Sequence, residues 1–294
     1  MIGDMPNAPL PPTVRRRRLG STLRRLRNDA SLSLDEAAAL MGWKAPKMSK
    51  IENAVHGLRP AEVTTLLGHY GVSDPEILAA LEQLCRDAGK RGWWQTYSGV
   101  LPASYADYIA LESDASRIRI WEPTLIPGLL QTAAYAREII TATNDVTITA
   151  EEVNALVEVR QARQAVLSRP REPLQLWVVI HEGVFHQRFP VRPSIMRDQL
   201  RRLREVAELP GITIQVMPLS GPPHPGLVSP FTLVSFPSPG QDVVKIENYL
   251  GNTYLEDPVA GFAFTSAFER IVATALPVGD SLALISRLEE EQSP

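Results

Sequence analysis

Lys44, Lys47 and Lys50 recur every third residue around Ala45, Pro46 and Ser49. Such a cluster of donors and small surfaces suits the edges and phosphates of a nucleic acid duplex. A lysine there can donate to guanine O6 and N7 or to a phosphate oxygen, and the Ser49 hydroxyl can serve either. Upstream, Arg15, Arg16, Arg17 and Arg18 read as a solvated, flexible arm that would follow phosphates or enter a minor groove. Arg59 adds a cation downstream. Between Val14 and Pro60 eleven basic residues stand against four acidic ones, although the whole chain has a formal charge of -3. One surface therefore attracts a polyanion, and a much larger acidic body does not.

A second set of reactive types lies in that body. Glu112, Trp121, Glu122, Gln131, Arg160 and Arg163 are polar or amphipathic residues in apolar surroundings, as are Glu182 and Glu247. Such groups need partners inside the fold or a ligand. Arg160 and Arg163 also read as simple partners for nearby glutamates on a helix face. The stiff loop from Gly221 to Gly226, which carries His224, reads as a lid, a docking edge or a plain connection. His181 and Glu182 follow a strand, where catalysts are often placed, but a hydrogen-bonded corner has the same composition. His56, His69, His181, His186 and His224 form no i, i+4 metal pair. With no glycine-rich phosphate loop, nucleophile elbow or zinc-ligand set, the expectation is a protein without metal or cofactor and not an enzyme. An enzyme using His181 and Glu182 is the weakest alternative.

These residues must be positioned by elements, and the hydrophobic pattern supplies them. The 294 residues suffice for two folded units. Proline and small residues predict disorder over 1–14. Helical spacing then predicts five helices over 15–88, with Ser33 capping the second, Gly42 ending it and the third running from about Ala45 to Asn53. Cys85 sits on the apolar face of the fifth helix with Leu81 and Leu84, so it reads as core. A larger domain over 92–290 follows. Its Trp93 and Trp94 read as packing at a junction, and a helix carries Tyr108, Leu111, Glu112, Ala115 and Ile118. Thr149 with Glu152 opens a long helix as a capping box. Leu174 to Ile180, the helix Ile195 to Leu209 and the alternating Ile212 to Met217 predict a parallel strand pair. Phe231 to Phe236 and Val243 to Tyr249 predict an antiparallel hairpin, and two helices close the chain. The fold class is α+β: an all-α five-helix bundle, then a mixed α/β domain with about four strands flanked by helices. No apolar run spans a bilayer and no export signal is visible, so the expected location is cytoplasmic, without membrane contact.

The series Leu23, Arg24, Leu26, Arg27, Leu32, Ser33, Ala38, Gly42, then Met48, Ser49, Lys50, Ile51 and Glu52, resembles the XRE (lambda-repressor-like) helix-turn-helix family. The resemblance implies an ion pair between Arg27 and Glu52, and base-facing positions at Ala45, Pro46, Lys47, Ser49 and Lys50. Lys44 stands where relatives place a capping Ser or Thr, and Ala54 replaces a usual glycine. Gly92-Trp93-Trp94, the stretch from Pro127 to Thr132, Arg163-Gln164, Gln199-Leu200 and Val243 to Glu247 resemble a C-terminal domain of unknown function. That domain is found behind XRE modules in antitoxin-like bacterial regulators, often encoded beside a small partner protein. Together the resemblances imply a regulator, expected to be a repressor, that binds double-stranded operator DNA as a homodimer. Its C-terminal domain would take a small partner protein or a small-molecule effector. The alternative they leave open is an antitoxin-like module that sequesters a small partner and regulates its own synthesis.

Overall fold

The computed structural model describes residues 13–88, 92–144, 147–170, 173–248 and 251–292. The expected disorder of the N-terminus therefore falls, over 1–12, outside the described residues. The chain divides into two compact units, residues up to 91 with the short Ser238–Gln241 segment, and Gly92–Pro237 with Asp242–Pro294.

Five helices build the first unit: α1 Val14–Asp29, α2 Leu34–Leu40, α3 Ala45–Glu52, α4 Pro60–His69 and α5 Pro75–Asp87. Helix α1 starts earlier than expected. The Thr13 hydroxyl accepts the Arg16 amide at 3.3 Å and Val14 is fully buried. This corrects two expectations, since Val14 is ordered and Arg15 to Arg18 form the first turns of α1 instead of a free arm. A capped and anchored helix start outweighs the repulsion of adjacent guanidiniums. Ser33 and Glu36 make a full capping box at α2. Gly42, at φ +66°, ends that segment in the left-handed region that glycine adopts without cost. Leu23, Met48, Leu66, Leu67 and Leu81 fill the core between the helices. Gly20 lets α1 and α3 touch through their backbones. A Cβ there would meet the Glu52 carbonyl oxygen at 2.6 Å and that of Ile51 at 2.9 Å.

The second unit is a mixed α/β domain. Its elements run α6 Ala103–Asp114, β1 Arg117–Glu122, α7 Ala133–Thr143, α8 Ala150–Arg163, β2 Gln175–His181, α9 Ser194–Ala207 and β3 Ile212–Met217. β4 Phe231–Ser235, β5 Val243–Asn248, β6 Gly251–Leu255, α10 Pro258–Thr274 and α11 Val278–Glu291 complete it. The strands form one six-stranded sheet in the order β3-β2-β1-β4-β5-β6. β3, β2 and β1 are mutually parallel, while β4, β5 and β6 add antiparallel. The parallel pair around α9 and the hairpin of β4 and β5 are as expected. The strand number is not: six replace about four. Ile118, read as the end of a helix, belongs to β1, where Ile118 and Ile120 alternate inward with half-exposed Arg119 between them. β6, with Asn252 and Thr253 inside it, carries no apolar run to signal a strand.

Alternation gives the sheet two unlike faces. Trp121, Val179, Met217, Phe231, Leu233 and Val244 pack on Phe268 and Ile271 of α10. Ile120, Thr232 and Lys245 are direct neighbours across β1, β4 and β5, and that opposite face lies toward α6 and α8.

Candidate functional site

Helix α3 presents the first set of candidates. Lys44, Pro46 and Lys50 are exposed, while Ala45, Lys47 and Ser49 are half-buried. Lys44 gives α3 no side-chain cap. Lys47 is tied into its own unit: its ammonium lies 3.5 Å from Glu62 and 3.6 Å from the centroid of the Trp43 ring. Arg59 is exposed beyond α3, and Arg15, Arg16 and Arg17 are half-buried in α1. Beneath the helix, Arg27 grips Glu52 with two bonds, of 2.7 and 3.1 Å, and donates at 2.7 Å to the Leu32 carbonyl. Arg24 joins from the side, at 3.3 Å to Glu52 and 2.6 Å to Asn53. The pairing of α1 with α3 implied by the resemblance is present, and it fixes the pose of α3 from within.

The second set converges on a polar cleft of about 100 Å³ in the larger unit. Glu122, Gln131, Arg160, Arg163 and Glu247 all line it. Glu112 lies directly behind, holding Arg163 through bonds of 2.8 and 2.7 Å. Residues not singled out from the sequence complete the lining, above all Tyr105, Tyr108, Lys245 and Asn252. Their spacing carried the signal. Tyr105, Tyr108 and Glu112 share a face of α6, as Arg160 and Arg163 do of α8, and Lys245 and Glu247 alternate onto one face of β5. The Arg163 guanidinium lies 5.2 Å from the Tyr105 ring and 5.1 Å from that of Tyr108, and it donates to the Tyr105 hydroxyl. Lys245 reaches Glu247 at 2.6 Å and sits 4.2 Å from the Tyr108 ring.

A frame of glutamines holds the rim. Gln131 donates to the Ile126 carbonyl at 2.6 Å and accepts from Arg160 at 2.8 Å. Its own carbonyl takes Gln161 at 3.2 Å and Gln164 at 2.7 Å. Gln199, wholly buried on α9, donates to the Leu130 carbonyl and accepts the Thr132 amide, both at 2.8 Å. The segment from Pro127 to Thr132, Arg163-Gln164, Gln199 and the strand carrying Lys245 and Glu247 are thus parts of one structure.

Burial and charge set the ionisation of the lining. Burial pushes the Glu122 carboxyl above the ordinary carboxylate range, against hydrogen bonds from Thr124. Burial pushes Glu247 upward, yet Lys245, Arg160 and Arg163 together outweigh it and the net shift is downward. Burial would raise the Tyr105 phenol, but Arg163 and Arg160 pull it below its usual value. Burial and Glu112 drive Tyr108 well upward. For Arg163, burial opposes the charge and Glu112 more than restores it.

Residues 105–287 match a domain of unknown function (DUF5753), and residues 18–90 match a helix-turn-helix domain. The chain belongs to the DUF5753 family. Its helix-turn-helix domain is that of a DNA-binding regulator, in keeping with the XRE-like reading of α1 to α5. No curated protein and no solved structure gives a significant match. Every lining residue of the cleft falls within the DUF5753 domain. Among the described residues no single helix is long and apolar enough to cross a membrane.

Three candidates stand apart from the cleft of the DUF5753 domain. Trp121 follows Ile120 and precedes Glu122 in β1, so it faces α10, where its indole donates to the Gly226 carbonyl at 2.8 Å. His224 packs edge-on against it, ring centroids 5.0 Å apart. Glu182 accepts the Leu219 amide at 2.9 Å, and the neighbouring His181 accepts that of Gly183 at 3.1 Å.

Proposed function

We propose that this chain is a transcriptional repressor, acting in the cytoplasm, that docks α3 against operator DNA as a homodimer and answers to a small effector held in the DUF5753 cleft. The observation that carries the reading is the construction of α3. A short helix exposes Lys44, Pro46 and Lys50 while its inner side is locked by Arg27 and Glu52. That arrangement supports major-groove docking, with lysines on base edges or phosphates. Dimerisation is argued from contact number. One such helix makes too few contacts for strong specificity, and two-fold pairing sets two of them about 34 Å apart along the duplex. Gel shifts with the chain's own upstream DNA test the reading. Lys44→Ala and Lys50→Ala should weaken retardation with the fold intact; unchanged affinity in both would overturn the placement of α3.

A second reading, capture of a small partner protein, is favoured by exposed apolar side chains in the larger unit. Leu227 and Val228 are 71% and 89% exposed, and Val259 and Phe262 on the adjoining start of α10 are 75% and 78% exposed. Such groups suit a protein interface. Co-purification abolished by Phe262→Ser would support it. We assign no catalytic role to His181 and Glu182, because each is spent on a main-chain amide at the end of β2.

A further inference from the structure

We propose that the cleft is built for a small zwitterion of α-amino-acid type, with its carboxylate on Arg160 and its ammonium on Glu122. This deepens the effector reading and rests on it. The argument is a matching of charges around the lining. Arg163 is neutralised by Glu112, and Lys245 by Glu247. Among the described residues, Arg160 and Glu122 are left without an ion-pair partner. Arg160 donates to Gln131 and is also engaged by the Tyr105 hydroxyl and, at longer range, by Glu247, but it forms no close ion pair, and its Nε is buried without a hydrogen-bond partner. Glu122 receives two bonds at a single oxygen, from the Thr124 amide at 3.2 Å and hydroxyl at 2.9 Å. Asn252, across the strand pair from Glu247, likewise has a buried Oδ1 without a partner among the described residues. One cation and one anion without a close ion pair, and one further acceptor, thus keep unfilled capacity.

A ligand of one sign would satisfy one side of this set and leave a like charge facing the other, whereas a net-neutral molecule carrying both signs satisfies the two together. The volume of about 100 Å³ suits a group of a few heavy atoms. Asn252 Oδ1 can take another of the ammonium's three donors. Fixed, partly desolvated groups waiting for a ligand are what a preorganised site requires.

The test uses the full-length chain, thermal unfolding and calorimetric titration. Probes are free amino acids at millimolar concentration, their N-acetyl and carboxamide derivatives, and inorganic phosphate. At least one free amino acid should raise the melting temperature, and each blocked derivative should bind at least about tenfold more weakly, as expected for loss of a charge-assisted hydrogen bond. Glu122→Gln should erase the discrimination against the N-acetyl form, and Arg160→Gln that against the carboxamide. Both comparisons use ligand-induced shifts, so a loss of basal stability does not obscure them. An N-acetyl form bound as tightly as its parent, or phosphate bound alone and lost in Arg160→Gln, overturns the zwitterion and leaves an anionic effector. No response to any probe, with operator binding equally indifferent to them, overturns the zwitterion and the effector reading together.

Discussion

Among the described residues, each unit has an arginine–glutamate pair with both partners buried, and the two are surrounded differently. Arg27 and Glu52 join α1 to α3 at 2.7 Å, and the spare donors of that corner end on the Leu32 carbonyl, while Arg24 brings Asn53 into the same group. Arg163 and Glu112 join α8 to α6 at 2.7 Å, but beside them stand two tyrosine rings, Arg160 and Glu122. The first pair is closed by bonds to Leu32 and Asn53, with the neutral Tyr70 hydroxyl buried beside it without a hydrogen-bond partner, and so serves geometry. The second has Arg160 and Glu122 next to it without close ion pairs, and on that the proposed ligand site rests. Burial of an ion pair does not by itself identify a site; the state of its neighbours does.

The largest expected effect breaks both pairs. Glu52→Ala and Glu112→Ala should each cost about 3–5 kcal/mol in urea unfolding, since each strands a buried guanidinium. The comparison sharpens in the paired replacements. Arg27→Met with Glu52→Leu should regain most of the stability and keep operator binding, whereas Arg163→Met with Glu112→Leu should regain stability and lose the cleft's ligand. Next comes Gly20→Ala, which drives a methyl into the backbone of α3 and should cost about 1–3 kcal/mol by thermal or urea melts. Lys50→Ala should lower the slope of log affinity against log salt by about 1 in operator titrations, and Lys47→Ala by less, because Lys47 already leans on Glu62 and Trp43.

The smallest effect concerns Glu122. Burial raises its folded-state pKa, so the folded chain takes up a proton more readily than the unfolded chain. Wild-type stability therefore gains from this group as pH falls from neutral through the raised value to the ordinary carboxylate range. Glu122→Gln should melt above wild type at neutral pH, and the difference should close in acid. A variant that binds less yet folds better is the pattern of a residue kept for function.

Local features were the most legible in the sequence. Ser33 with Glu36 and Thr149 with Glu152 each span one helical turn, and both capping boxes form. The alternation of Ile212 to Met217 set β3 to the residue. Ile118 misled because it continues the helical spacing of Leu111 and Ala115 while also starting the alternation of β1, and only pairing with β2 and β4 decides. Glu122, Gln131, Arg160, Arg163 and Glu247 were recognisable as polar groups in apolar stretches. Their assembly was not, because it depends on strands far apart in sequence coming into register. Trp121 could have been excluded at once, since adjacent residues of a strand point to opposite faces. Gln164 and Gln199 were visible as a signature without a role, as their partners are main-chain atoms at Gln131, Leu130 and Thr132.

Gln131, Gln164 and Gln199 give the rim a skeleton that neither gains nor loses protons and carries no net charge. Strong alkali and concentrated electrolyte, which loosen lysine from phosphate, find no charge on these three side chains to act upon. The amide-to-carbonyl bonds of the rim should therefore outlast salt concentrations that weaken the lysine contacts of α3.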